Sequence, residues 1–245
     1  RIRAMSVPRP RTQGMQGFVF NLRKPLFQDP KVRQAIAQGL DFEWSNRALF
    51  HGMYKRTRSF FDNSELAATG QPEGEEKAIL ERLKDKLPPE VMTTSYVPPT
   101  TDGLGSIRSN LRKASKLLKE AGWKIDKKTR KLVHAKTGQP FTFEILLVSP
   151  LFERIVLPFN KNLARLGIDV TVRTVDTAQY RQRLTEFDYD VVVGSWGQSL
   201  SPGNEQRDYW TTESATRPRS RNLSGIKNPA IDELVELLIS APTRK

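Results

Sequence analysis

Three short runs decide the reading of this chain: Phe141-Thr-Phe-Glu-Ile-Leu-Leu-Val148, Ile168-Asp-Val-Thr-Val-Arg-Thr-Val175 and Tyr189-Asp-Val-Val-Val-Gly194. Each is rich in β-branched or aromatic residues and bounded by Pro, Gly or Asp, which suits a strand. Between them, Leu151 to Leu166 and Thr177 to Glu186 read as helices. Short β-rich runs alternating with helical runs are the signature of an α/β sheet with crossover helices. In open sheets of this kind ligands bind beyond the carboxyl ends of strands. Two such ends stand out, Val148-Ser149-Pro150 and Gly194-Ser195-Trp196-Gly197.

Upstream, Gly17-Phe-Val-Phe-Asn-Leu22 predicts a further strand. Asp29 is placed to cap a helix with Pro30 at its first position and Val32, Ala35, Ile36 and Leu40 on one face. A second helix is expected from Asp41 to Phe50. From Phe60 to Gly105 the residues Gly70, Pro72, Pro88, Pro89, Pro98 and Pro99 interrupt everything except a helix from Glu75 to Leu87, so this stretch reads as a long and mobile surface excursion. Ser109 to Glu120 places Leu111, Ala114, Leu117 and Leu118 inward and Arg112, Lys113, Lys116 and Lys119 outward, ending at Gly122. Lys124 to Pro140 reads as a charged hairpin turning near Lys127-Lys128.

The 245 residues include 37% hydrophobic residues and 12 Phe, enough to bury a core without metal or disulfide. The absence of Cys excludes thiol nucleophiles, disulfides and Cys-ligated metals, and two distant histidines, His51 and His134, exclude an all-His centre. No stretch reaches the ~18 apolar residues of a membrane span. The net charge of +13 makes an acidic partner worth considering, but Lys and Arg run along the whole chain, and dispersed charge reads first as a solvated surface. The opening Arg-Ile-Arg-Ala-Met-Ser-Val-Pro carries no signal-peptide core and is what a fragment excised from a longer protein would show.

Catalytic patterns are weak. Gly103-Leu104-Gly105-Ser106 lacks a dinucleotide fingerprint's spacing and the strand that should precede it. Gly194-Ser195-Trp196-Gly197 resembles a nucleophile elbow only superficially, since Val193 stands where the first Gly belongs and no His follows. Carboxylate pairs such as Asp188/Asp190 read as charged surface. Gly194 to Glu205 differs, with small residues, one large aromatic and uncharged hydrogen-bonding groups directly after a strand. Gly197 and Gly203 let backbone approach a ligand, Trp196 offers an apolar wall, and Gln198, Ser199, Ser201 and Asn204 offer donors and acceptors.

Several motifs share one resemblance. Gly17-Phe-Val-Phe-Asn21, Pro25-Leu-Phe27, Asp29 to Ala35 and Leu40-Asp-Phe-Glu-Trp44 resemble the opening of the second lobe in peptide-type (family 5) extracellular solute-binding proteins of ABC importers. Ala114 to Trp123, Leu166-Gly-Ile168 and Phe187-Asp-Tyr-Asp190 with Gly194 to Trp196 follow in that family's order. Asn63 to Gly70, Gln198 to Gln206 and Ser220 to Ile226 are similar to the subfamily serving oligopeptide and microcin-C-type uptake.

The resemblance implies one lobe of a periplasmic-binding-protein-like (type II) α/β fold, a mixed sheet with flanking helices. Residues 1–16 would be a connector from a first lobe and 17–245 the second lobe, with the excursion at about 60–105. It implies a non-enzymatic, monomeric periplasmic receptor without cofactor or metal, delivering peptide to a permease of the inner membrane. The backbones of Ser195 and Gly197 would hydrogen-bond an extended peptide. Trp196 would lie near a side-chain pocket and Arg154 would face the peptide carboxylate. Relatives that clamp the peptide amine place an acid about three residues after the Trp; here that position holds Ser199, and Glu205 is the candidate substitute. The competing reading is a basic nucleic-acid-binding domain, against which the aromatics sit in apolar runs that suit core packing better than base stacking.

Overall fold

The computed structural model describes residues 11–243. In chain order the elements are β1 (Met15–Phe20), α1 (Pro30–Ala37), α2 (Phe42–Phe50), α3 (Gly74–Leu83), α4 (Glu90–Thr93), α5 (Arg108–Glu120), β2 (Trp123–Ile125) and β3 (Leu132–His134). They continue with β4 (Thr142–Leu147), α6 (Glu153–Ala164), β5 (Asp169–Thr174), α7 (Thr177–Thr185), β6 (Val191–Trp196), α8 (Glu205–Trp210) and α9 (Pro229–Ser240). The helix starts follow local chemistry. Asp29 accepts from the Lys31 N–H, Asp41 from Trp44 and Asp176 from Ala178 and Gln179, each satisfying an amide that has no partner in the first turn. At the end of α2, His51 takes φ 54°, a left-handed turn that breaks the helix just before Gly52.

The main sheet has the order β1-β6-β4-β5, with β4 parallel to β5 and β6, and β1 antiparallel to β6. The last strand in sequence is thus inserted between the first and the fourth. Alternation along each strand builds two cores. Phe143, Ile145 and Leu147 of β4, Val191 of β6 and Val170 of β5 are buried with α1, α5 and α6 on one face. Burying each such side chain contributes about 1.5–3 kcal/mol. On the other face Val19, Leu146, Val192 and Trp196 are buried with Tyr180, Tyr189 and Tyr209.

The sequence ends the third decisive strand at Gly194, whereas β6 runs on to Trp196 because β1 pairs along its whole length, from Phe20↔Val191 to Met15↔Trp196. Gly194 belongs inside the strand. A Cβ there would lie 2.5 Å from Val19 Cγ2 and 2.9 Å from the Trp196 ring, which folds back over it.

The hairpin β2-β3 abuts the amino ends of β4 and β5. The Leu132 N–H donates to Gly167 O and Leu132 O accepts from Phe141 N–H, both at 2.8 Å. The stretch 60–105 carries α3, which ends earlier than the expected Glu75–Leu87 helix, and the short α4. It is tied down at both ends. Phe60 packs on Trp196 and Trp210, while Thr101 bonds Asp41 and Glu43 on the cap of α2.

Candidate functional site

Strand β6 ends beside a space that its neighbour leaves open. Pairing with β4 covers Ile145↔Val191 and Leu146↔Val192, and β4 stops at Leu147. The Asn21 N–H bonds Asp190 O at 2.9 Å, so the backbone groups of even-numbered residues along β6 point towards β1. By the alternation of the strand, the N–H and C=O of Ser195 then face the side where β4 has ended. Gly197 follows just past the end of the strand, and both residues are exposed. A Cβ on Gly197 would meet nothing within 4 Å.

The Trp196 side chain turns the other way. It is 7% exposed, stacks on Trp210 with centroids 5.8 Å apart, and meets Phe60 edge-on at 5.6 Å. The Trp196 backbone is turned to β1, where it pairs with Met15, and its ring fastens the strand end to α8 and to the start of the long excursion. Phe60 and Trp210 are therefore rim-supporting residues that the sequence reading passed over, and neither has a local motif to mark it.

The loop between β6 and α8 is held by polar contacts of its own. The Gln206 amide, 1% exposed, donates to Gln198 Oε1 at 2.6 Å and accepts from Trp210 Nε1 at 3.0 Å. The Thr12 hydroxyl donates to Gln198 O. Ser199 Oγ donates to Ser201 O at 2.8 Å and accepts from the Ser201 N–H, closing a small turn. Asn204 is exposed at the start of α8 and bonds Arg207. Gln206 was missed by the sequence reading, although its four-residue spacing to Trp210 on a helix was a usable signal.

Glu205 is the single carboxylate between Gly194 and Glu205. Burial by itself would raise its pKa. The Gly203 N–H at 2.8 Å, its own N–H and the Gln206 amide at 3.1 Å outweigh that, and hold it below the usual carboxylate range. The bonds from the Gly203 N–H and the Gln206 amide both run to Oε1.

Arg154 lies exposed on the first turn of α6, at the same carboxyl end of the sheet, with its guanidinium 4.9 Å from the centre of the Phe50 ring. Its contact is thus with α2. Ser195, Trp196, Gly197, Gln198, Ser199, Asn204 and Glu205 form one continuous rim, and Arg154 stands on a separate element at that end.

The motif Ser220 to Ile226 proves to be scaffolding. Asn222 is fully buried, donates to Thr211 O and Ile226 O, and accepts from the N–H groups of Gly225 and Ile226. Arg23 at the end of β1 clamps the same segment through Ala215 O and Asn222 O.

Residues 3–217 match the profile of bacterial extracellular solute-binding proteins, family 5 middle region. The chain is 48% identical over 230 residues to the probable peptide-binding protein YejA of Agrobacterium fabrum, covering 94% of this chain and 37% of that protein. It is also 48% identical over 247 residues to the uncharacterized protein y4wM of Sinorhizobium fredii, covering all of this chain and 37% of that one. The chain thus spans little more than a third of the length of these relatives. Among solved structures, the oligopeptide-binding protein AppA of Bacillus subtilis in complex with a nonapeptide superposes with a TM-score of 0.71 at 20% identity, over 96% of this chain and 40% of AppA. That likeness is one of fold: a mixed sheet flanked by helices, of the type II periplasmic-binding-protein kind.

Proposed function

We propose, for a chain that belongs to the bacterial extracellular solute-binding proteins of family 5, that it forms the second lobe of a periplasmic peptide receptor for an ABC importer. Residues 17–245 would be that lobe and residues 1–16 its connector. Oligopeptides or peptide conjugates bind in extended form between this lobe and a first one, and lobe closure presents them to the permease. The protein acts by binding, without catalytic residues or a cofactor.

The observation that carries this reading is the open edge of β6 at Ser195, continued by the exposed Gly197 just past the strand. An extended peptide laid there continues the sheet on the side where β4 ends, and its main-chain bonds are independent of its sequence. Uncharged Gln198 and Ser199 suit such a ligand because they impose no charge on its side chains. Glu205, exposed and with its pKa held low, is the group for a ligand amine. Arg154 is the group for a ligand carboxylate. The name of the Agrobacterium relative supports a peptide as the ligand.

Replacing Gly197 by Pro removes the N–H and adds a ring at the edge, whereas Ala adds only a Cβ into open space. In the full-length protein, measured by calorimetry with a peptide identified by mass spectrometry of co-purifying ligands, Gly197→Pro is expected to weaken binding about tenfold or more, roughly one main-chain hydrogen bond. Gly197→Ala should bind like the parent. Equal binding by a folded Gly197→Pro variant would show that the peptide does not add to this edge.

A further inference from the structure

Along the chain the positive charge is densest in one stretch. Residues 108–136 hold eleven Lys and Arg against two carboxylates, Glu120 and Asp126. They form one unit, α5 with the β2-β3 hairpin, and all eleven cationic residues are exposed. Neither acid offsets the excess locally. Glu120 pairs with Lys31 of α1 at 3.1 Å, and Asp126 spends its Oδ1 on the N–H groups of Lys128 and Thr129 and the Thr129 hydroxyl. Among the described residues, Lys131 with Asp169 is the one ion pair made by these eleven.

The same unit encloses a groove of about 570 Å³. Arg108, Arg112, Ser115 and Lys119 recur at helical spacing along one wall, with Lys124 and Arg165 opposite. Leu111, Leu118, Leu132 and Leu166 form its floor, with Trp123 and the 43% exposed Ile125 at its margin. An apolar floor inside a ring of unpaired cations, with a Trp at the boundary, is the arrangement that suits the boundary between charged head groups and acyl chains.

We propose that this face docks the protein on a membrane surface rich in anionic phospholipid, with the cations on the phosphates and the exposed Ile125 at the level of the first acyl carbons. The geometry leaves the ligand rim unobstructed, because the hairpin sits at the amino ends of β4 and β5 and the rim at the carboxyl end of β6. Nucleic acid fits less well. Its single strands call for an open aromatic face for stacking, and the Trp123 ring is occupied by Phe141 at 4.4 Å and by His134 at 5.3 Å.

The test is flotation of the full-length protein with phosphatidylcholine vesicles, with and without phosphatidylglycerol, at low and at physiological salt. A parallel titration uses duplex and single-stranded DNA of random sequence. The parent is expected to float only with the anionic vesicles. Because each Lys or Arg near an anionic leaflet contributes roughly a factor of five, the combined variant Arg112→Gln, Lys119→Gln, Lys124→Gln, Arg165→Gln should lose several-hundredfold in vesicle affinity. Ile125→Ser should lose a smaller factor at unchanged charge, with peptide binding and melting temperature retained in both variants. Absence of vesicle binding by the parent would overturn the proposal. So would DNA binding as tight as vesicle binding with no effect of Ile125→Ser, an outcome that assigns the face to polyanions in general.

Discussion

The two ends of the main sheet treat polar side chains in opposite ways. At the carboxyl end of β6, the side chains of Gln198, Ser199, Glu205 and Gln206 bond to one another or to nearby backbone, beside a cluster of the buried Trp196 with the half-buried Trp210 and Phe60. At the amino ends of β4 and β5, the side chains of α5 and the hairpin are charged, exposed and mostly without opposite partners. The first end is a preorganised shape whose remaining capacity is backbone, fitted to a ligand of defined geometry. The second is a field of like charge, fitted to a surface of no fixed shape. A polar loop and a basic helix therefore cannot be ranked by how functional their composition looks. What separates them is whether their own neighbours already satisfy them.

The largest expected effect tests the buried half of the rim. Trp196→Ala removes a fully packed ring and should destabilise the protein by about 3–5 kcal/mol, read as a shift in the urea midpoint. A variant as stable as the parent but weak in peptide binding would break the comparison, since Trp196 would then belong to the ligand rather than to the support.

The second test concerns the opposite end of β6. Tyr189 is 1% exposed and donates to Leu223 O at 2.6 Å; burial pushes its phenol up to about 12, against the opposing charge of Arg23. A folded pKa above the unfolded value of ~10 means that this stability is complete below pH ~10 and lost as pH rises towards about 12. Two pKa units correspond to at most about 2–3 kcal/mol. Tyr189→Phe should flatten that alkaline limb in thermal melts recorded across the range. An unchanged limb would assign the loss to another group.

The smallest effect tests whether the rim extends to a second element. Arg154→Ala should weaken binding of a free-carboxylate peptide by about tenfold and of its amide hardly at all, because only the free acid presents the charge. Equal losses for both ligands, or none, would leave Arg154 as a surface residue held by Phe50 and confine the rim to β6 and its loop.

Much of the local structure was legible because it is written locally. Asp29 with Pro30, Asp41 and Asp176 cap the helices that their positions announce, and the strands around Phe143, Val170 and Val192 show the expected apolar runs. Helix α9 carried the same kind of signal, with Asn228 as cap and Pro229 at its first position, and was passed over. The end of β6 was misjudged because Gly194 reads as a breaker in one dimension. Only the approach of Val19 and the fold-back of the Trp196 ring turn it into a requirement of the strand.

By itself the sequence determined the caps, the apolar periods, the α/β class and the family, since each rests on residues close together in the chain or on motifs in a fixed order. The tertiary structure decided the rest, and in each case the reason is a contact across a long stretch of chain. Insertion of β6 between β1 and β4 depends on pairing residues 15–20 with 191–196, and that pairing is what leaves the edge at Ser195 open. The burial of Trp196 depends on Phe60 and Trp210. The gathering of cations on one face depends on α5 and the hairpin packing together, with Arg165 brought alongside from the end of α6. Charge and hydrogen-bonding capacity are properties of residues, but whether a charge is paired and a backbone edge is covered are properties of neighbours, and neighbours are assigned only when the chain folds.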